Sequence, residues 1–120
     1  MGKPGLLVIN VTRGAVLAES LDIADTFLKS LMGLMGKSCI KGGRGLWIKP
    51  CQSIHTFWMR FPIDVLFLDK HGVVVHLIES MKPFRVSRHV SKARSVMELP
   101  VWSIKDSETQ LGDCIEVTNG

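Results

Sequence analysis

The chain has 120 residues, 46% of them apolar and 22% charged, the profile of one globular domain with its own core and not of a disordered chain. Its net charge of +4 favours solubility and is too modest to mark a nucleic-acid binder. No run approaches the roughly 20 apolar residues of a membrane span, and "GLLVINV" is too short for the apolar core of a secretory leader. The expected compartment is therefore the cytoplasm, or outside it if a leader has been trimmed.

Residues 6–12, "LLVINVT", are rich in Leu, Val and Ile and read as a strand. Gly14 punctuates it and "AVLAES" reads as a second strand, so the chain opens on a hairpin. Asp22 stands as an N-cap, with Asp25 in the first turn. Ile23, Phe27, Leu31 and Leu34 recur at helical spacing, which predicts a helix over 22–34. A Gly- and Lys-rich loop follows over 36–45, without the pattern of a P-loop. "GLWIKP" is a short strand stopped by Pro50, and "SIHTFWM" alternates like another. "IDVLFLD" and "VVVHLIE" flank "KHG", a hairpin signal in which Gly72 supplies the positive φ. Residues 80–94 form a long polar connection, "SVMELPV" is a strand, a turn or short helix covers Trp102 to Gln110, and "CIEVT" is the last strand. The fold class is mainly β: a single-domain β-barrel or jelly-roll-like sandwich with one short N-terminal helix and a possible second one.

The segments "SLMGLMGKS", "GLWIKP", "TFWMRFPIDVLFLDKHGVVV", "VMELP" and "LGDCIEV", in that order, resemble the DUF192 family, a small, mostly β prokaryotic domain without an established activity. The resemblance extends over residues 15–118. It implies a compact barrel-like or jelly-roll-like domain and implies no reaction. Members often carry a secretion leader, and often an Arg before the "GLM" motif. Here Lys29 is the nearest base, without the planar fork of Arg.

Strand alternation sets Asp64 on one face with Leu66 and Leu68, opposite Ile63, Val65 and Phe67. A carboxylate buried there without a partner costs several kcal/mol. Glu98 repeats the anomaly between Met97 and Leu99. Two acids inside apolar strands suggest a common hollow with Thr56 and Trp58, and if they meet, one pKa rises toward that of a general acid. The plainer reading has Asp64 capping backbone amides or accepting from the Trp58 indole.

Other groupings are weaker. Cys51, His55 and Met59 are soft ligands that suit copper, but a straight strand holds them too far apart to close on one ion. The same distance argues against Cys51 and His55 as nucleophile and base. Cys39, Cys51 and Cys114 are an odd set without C-x-x-C, read as reduced thiols with a Cys51 bridge left open. Arg85, Arg88 and Lys92 in the long connection form a possible rim to a site. Trp47, Trp58 and Trp102 offer ring faces of the kind that pair with acids in sugar sites.

The leading expectation is thus a non-catalytic binding or accessory module for a glycan or small polar ligand at Thr56, Trp58, Asp64 and Glu98. The alternatives are a small hydrolase or lyase with Asp64 and Glu98 as acid/base pair, and a copper protein using His55 and Met59. Nucleic acid is not expected as a partner, no cofactor is called for, and a monomer is favoured.

Overall fold

The structure, a computed structural model, describes residues 3–24, 39–40, 42–57 and 59–119. Its strands are β1 (Lys3–Asn10), β2 (Ala15–Ala24), β3 (Arg44–Ile48), β4 (Ile63–Leu68), β5 (Val74–Met81), β6 (Ser95–Leu99) and β7 (Ile115–Asn119), with one short helix, α1 (Ser103–Ser107). They form a seven-stranded sheet in the order β5-β4-β6-β3-β2-β1-β7. Every neighbouring pair is antiparallel except β2 and β3. A parallel pair cannot be joined by a tight turn, and the chain between Ala24 and Arg44 makes this connection.

The sheet curls into a half-barrel until its edges touch. Val73 bridges Cys114, Val74 N–H donates to the Asp113 carbonyl, and Ile115 N–H donates to the Gly72 carbonyl. Gly72 serves this closure twice. Its φ of 81° turns the β4–β5 hairpin, and a Cβ there would sit 2.5 Å from the Ile115 carbonyl oxygen. Asp69 completes the turn, its Oδ1 accepting from the amides of His71 and Val73.

β4 and β6 are central strands buried along their whole length, which is why both read as nearly continuous apolar runs. Their side chains divide between two cores. Leu66, Leu68, Met97 and Leu99 join Val8, Leu21, Val74, Ile104 and Ile115 inside the curl. Ile63, Val65, Phe67 and Val96 face the other way, against Leu46 and Ile48 and beneath Ile54, Met59, Phe61, Val90 and Ala93 from two long loops. This second core gives those loops a fixed seat.

Two expected elements differ. β2 runs through Ala24, with Asp22 paired to Leu46 and its carboxylate 3.7 Å from Arg44. Asp22 is therefore a strand residue and not an N-cap, because the parallel ladder with β3 continues where a helix was expected to start. The rest of that helix, with Lys29, lies outside the described residues. "SIHTFWM" is likewise not a regular strand. Among its described residues only His55 makes a bridge, to Val86, because Thr56 turns the chain: its carbonyl accepts from the amides of Met59 and Phe84. Cys39, Cys51 and Cys114 are free thiols.

A buried polar knot locks β1 to the loop before β7. Asn10 Nδ2 donates to Thr109 Oγ1 (2.9 Å) and Asp113 Oδ2 (3.0 Å). Arg13 grips the same carboxylate through Nε and Nη2, and Gln110 N–H adds a third donor. The Arg13 bond and the other donors outweigh burial and hold the Asp113 carboxyl down at about 2. A depressed acid stabilises the fold above its unfolded pKa of 3.8 and loses that contribution as pH falls toward about 2. Asp113→Asn should therefore be less stable than the parent at pH 7, by a margin that shrinks as pH falls from about 4 toward 2, as read by thermal unfolding across pH.

Candidate functional site

The two loops that cover the second core are zipped together. Cys51 N–H donates to the Arg94 carbonyl, Val90 N–H to Gln52, Ser87 N–H to Ile54, and Thr56 N–H to Arg85. The Ser87 hydroxyl accepts from the Ile54 amide. Thr56 is the tightest knot: its Oγ1 donates to the Lys82 carbonyl at 2.6 Å and accepts from the Arg85 amide at 2.9 Å. These bonds consume the Thr56 hydroxyl, so Thr56 positions its neighbours and offers nothing outward.

What the ribbon presents outward is aromatic. The His55 and Phe57 rings stack at 5.2 Å, and Phe57 meets Phe84 at 6.4 Å with a 42° tilt. The His55 ring is pinned by its Nδ1, which accepts from the Phe57 amide. Phe57 is 39% exposed, Phe84 54% and Val86 65%. Phe84 also has a φ of 60°. A bulky residue in that region carries strain of roughly 1–3 kcal/mol, spent here on holding an apolar ring in water. Sequence alternation had put His55 and Phe57 on one side, but nothing in the sequence shows that Phe84, far along the chain, joins them.

The acids do not share a hollow. In the β4–β6 ladder Asp64 lies opposite Leu99 and Val65 opposite Glu98, so the two carboxylates leave opposite faces of the sheet. Asp64, 1% exposed, is fully engaged. Its Oδ1 accepts from Ser80 N–H and its Oδ2 from Ile104 N–H, both at 2.9 Å. The first bond holds a left-handed residue (Ser80 φ 51°) at the end of β5. The second caps α1, whose own N-cap residue, Trp102, provides no side-chain acceptor. Among the described residues Glu98, 5% exposed, has no hydrogen-bonding or ionic partner, and burial pushes its carboxyl up to about 8. An acid/base pair needs both groups at one substrate, and this arrangement does not supply it.

The soft-ligand set is dispersed as well. His55 is exposed, Met59 is buried in the second core, and the Cys51 thiol donates to the Ser53 carbonyl. Burial, reinforced by the charge of Glu98, raises the Cys51 pKa, so it is a thiol and not a ready nucleophile. Among the described residues no three His, Cys, Asp or Glu side chains gather around one point. Trp58 lies outside the described residues. Trp47 packs against the inner core with the Lys49 ammonium 4.0 Å from its ring centroid, and Trp102 is 61% exposed beside Lys105.

Arg85, Arg88 and Lys92 are exposed on the ribbon. A shallow cavity of about 510 Å³ opens along it, lined by Pro50, Cys51, Gln52, Ser91, Ala93 and Arg94. No helix among the described residues is long and apolar enough to cross a membrane.

The half-barrel recurs in solved structures of low sequence identity. A Sinorhizobium meliloti protein provisionally called a transcription regulator matches with a TM-score of 0.78 and 19% identity, over 93% of this chain and 91% of that one. A protein of unknown function from Novosphingobium aromaticivorans matches with a TM-score of 0.79 and 18% identity, over 92% and 82%. The chain is 33% identical to the UPF0127 protein of Thermococcus gammatolerans over 91% of its length and 73% of that protein's. It is 32% identical to the UPF0127 protein of Pyrococcus horikoshii over 92% and 97%. The family model described as "Uncharacterized ACR, COG1430" matches residues 8–117, and the chain belongs to that family, DUF192.

Proposed function

We propose that this protein is a non-catalytic binding module that holds a glycan, or a small polar ligand with a flat apolar face, on the His55–Phe57–Phe84 platform. The observation that carries this reading is Phe84. Its phenyl ring is more than half exposed, on a backbone with φ 60°, and joins Phe57 and His55 in one outward aromatic surface. Strain held at an exposed ring is expected where the ring meets a ligand. Apolar ring faces match the C–H faces of sugar rings, while Arg85, exposed and next to Phe84 in the chain, can reach hydroxyls or charged groups. Asp64 and Thr56 support the module from below by holding α1, the end of β5 and the ribbon in place.

Screening an array of neutral and acidic oligosaccharides against the parent and two variants tests the reading. Phe57→Ala should weaken any hit about tenfold, the loss of one aromatic contact of roughly 1.4 kcal/mol. Phe84→Gly should weaken it similarly while leaving thermal stability equal or higher, since Gly adopts positive φ without strain. A Phe84→Gly protein that binds normally, or that unfolds readily, would show that the ring serves packing and not a ligand.

A further inference from the structure

We propose that Glu98 is the recognition group of a second site, separate from the aromatic platform, that takes a small organic cation: a primary ammonium on an apolar stem. Glu98 lies in β6 with Leu46 of β3 and Val65 of β4 directly beside it in the two ladders. Both neighbours belong to the second core, so the carboxyl leaves the sheet on that side. A buried acid normally has donors around it, as Asp64 and Asp113 do. Glu98, 5% exposed, has none among the described residues. Its oxygens are nonetheless not sealed. Among the described residues the one buried side-chain nitrogen or oxygen both unbonded and closed off from solvent is Trp47 Nε1. The Glu98 oxygens therefore border space that a group the size of water, or of an ammonium, can enter. Cys51 feels the Glu98 charge and lines the cavity of about 510 Å³, so the carboxyl and that cavity wall are neighbours.

The surroundings select the ligand. On this face β4 presents Ile63, Val65 and Phe67, and β3 presents Leu46 and Ile48. The ionisable groups that share the face among the described residues are Arg44 and Asp22, by alternation with Leu46 and its ladder partner, and Cys51. Arg44 and Asp22 pair with each other at 3.7 Å, and the Cys51 thiol donates to the Ser53 carbonyl. No cation is thus left for Glu98. A metal ion would find a single carboxylate where it needs several ligands, since no three His, Cys, Asp or Glu side chains gather among the described residues. A primary ammonium is matched by one carboxylate, and contact of its stem with the apolar wall offsets the desolvation of the charges. Burial keeps the free acid protonated up to about pH 8. As the ammonium arrives, Glu98 gives up its proton to water and the ion pair forms. Affinity should therefore rise about tenfold per pH unit below that value.

Calorimetric titration of the parent and Glu98→Gln with n-hexylamine, n-hexanol and hexanoate, at pH 6 and pH 7, tests the assignment. The expected result is hexylamine bound at least tenfold more tightly than hexanol at pH 7, and about tenfold more weakly at pH 6 than at pH 7. Glu98→Gln has no charge to bury and should fold as well as the parent. It should bind the amine no better than the alcohol, with no dependence on pH. Equal binding of amine and alcohol by the parent, or amine binding that survives Glu98→Gln, shows an apolar cleft and overturns the assignment. Tighter binding of hexanoate shows a cation at the site and also overturns it. So does the absence of amine binding in the millimolar range. Each of these outcomes leaves the platform reading standing.

Discussion

Asp64→Ala should destabilise the protein by about 2–4 kcal/mol at pH 7, read by urea unfolding, the cost of taking a charged acceptor from two backbone donors. The expectation follows from what the carboxylate holds. It is 1% exposed and accepts from Ser80 N–H and Ile104 N–H at 2.9 Å each. Removing it strands the buried Ile104 amide, at about 1–3 kcal/mol, and takes the acceptor from the Ser80 amide, which sits at an exposed residue and loses less. The first amide begins α1, the second lies in the left-handed turn that ends β5, so α1 and the β5 end should loosen together. Asp64→Asn should do little better, because its NH2 group would face one of the two donors. A loss below about 1 kcal/mol would mean that the carboxylate is not the strut between these elements. A variant of normal stability that loses ligand would return Asp64 to the binding surface.

Glu98 should act in the opposite sense, and only over part of the pH range. Its carboxyl is raised by burial from 4.5 to about 8. Below 4.5 the group is protonated in both folded and unfolded chains. Between 4.5 and about 8 the unfolded chain releases a proton that the folded one keeps, so stability falls as pH rises. Above about 8 both forms are ionised and the loss is complete. At roughly 1.4 kcal/mol per pKa unit, the decline across the window is on the order of 4–5 kcal/mol. Glu98→Gln cannot ionise, so its stability should be nearly flat over that window. The variant should exceed the parent at pH 8.5 by a margin that disappears near pH 5. Parallel stability curves for the two proteins would show that Glu98 is ionised in the fold and has a partner.

Much of the fold was legible because its signals are local. The run "IDVLFLD…KHG…VVVHLIE" fixes a hairpin by itself, since Gly72 is needed for the turn and the flanking residues favour strands. Alternation likewise placed Asp64 correctly with Leu66 and Leu68, on the face opposite Val65. What alternation within one strand cannot give is register between strands. Asp64 stands opposite Leu99 and not Glu98, and this single step of register sends the two acids to opposite faces. Asp22 was misread for a related reason: its ladder with Leu46 depends on a partner more than twenty positions away. In the sequence Thr56 and Trp58 stand as polar and aromatic groups a few positions before an acid. The structure turns Thr56 inward onto Lys82 and Arg85 and leaves Phe57 outward. The platform itself is made by pairing 51–56 with 84–94, a contact with no local signature, although Phe57, Phe84 and the run of cations were each visible as residues.

The most direct test of where ligand lies is a 1H–15N correlation spectrum recorded during titration with the oligosaccharide that binds most tightly on the array. The account predicts that the largest amide shifts fall at His55, Phe57 and Phe84 to Arg88, with those at Ile104 and around Asp64 and Glu98 unmoved. Shifts centred on Ile104 and Asp64, or confined to the strands around Glu98, would contradict it.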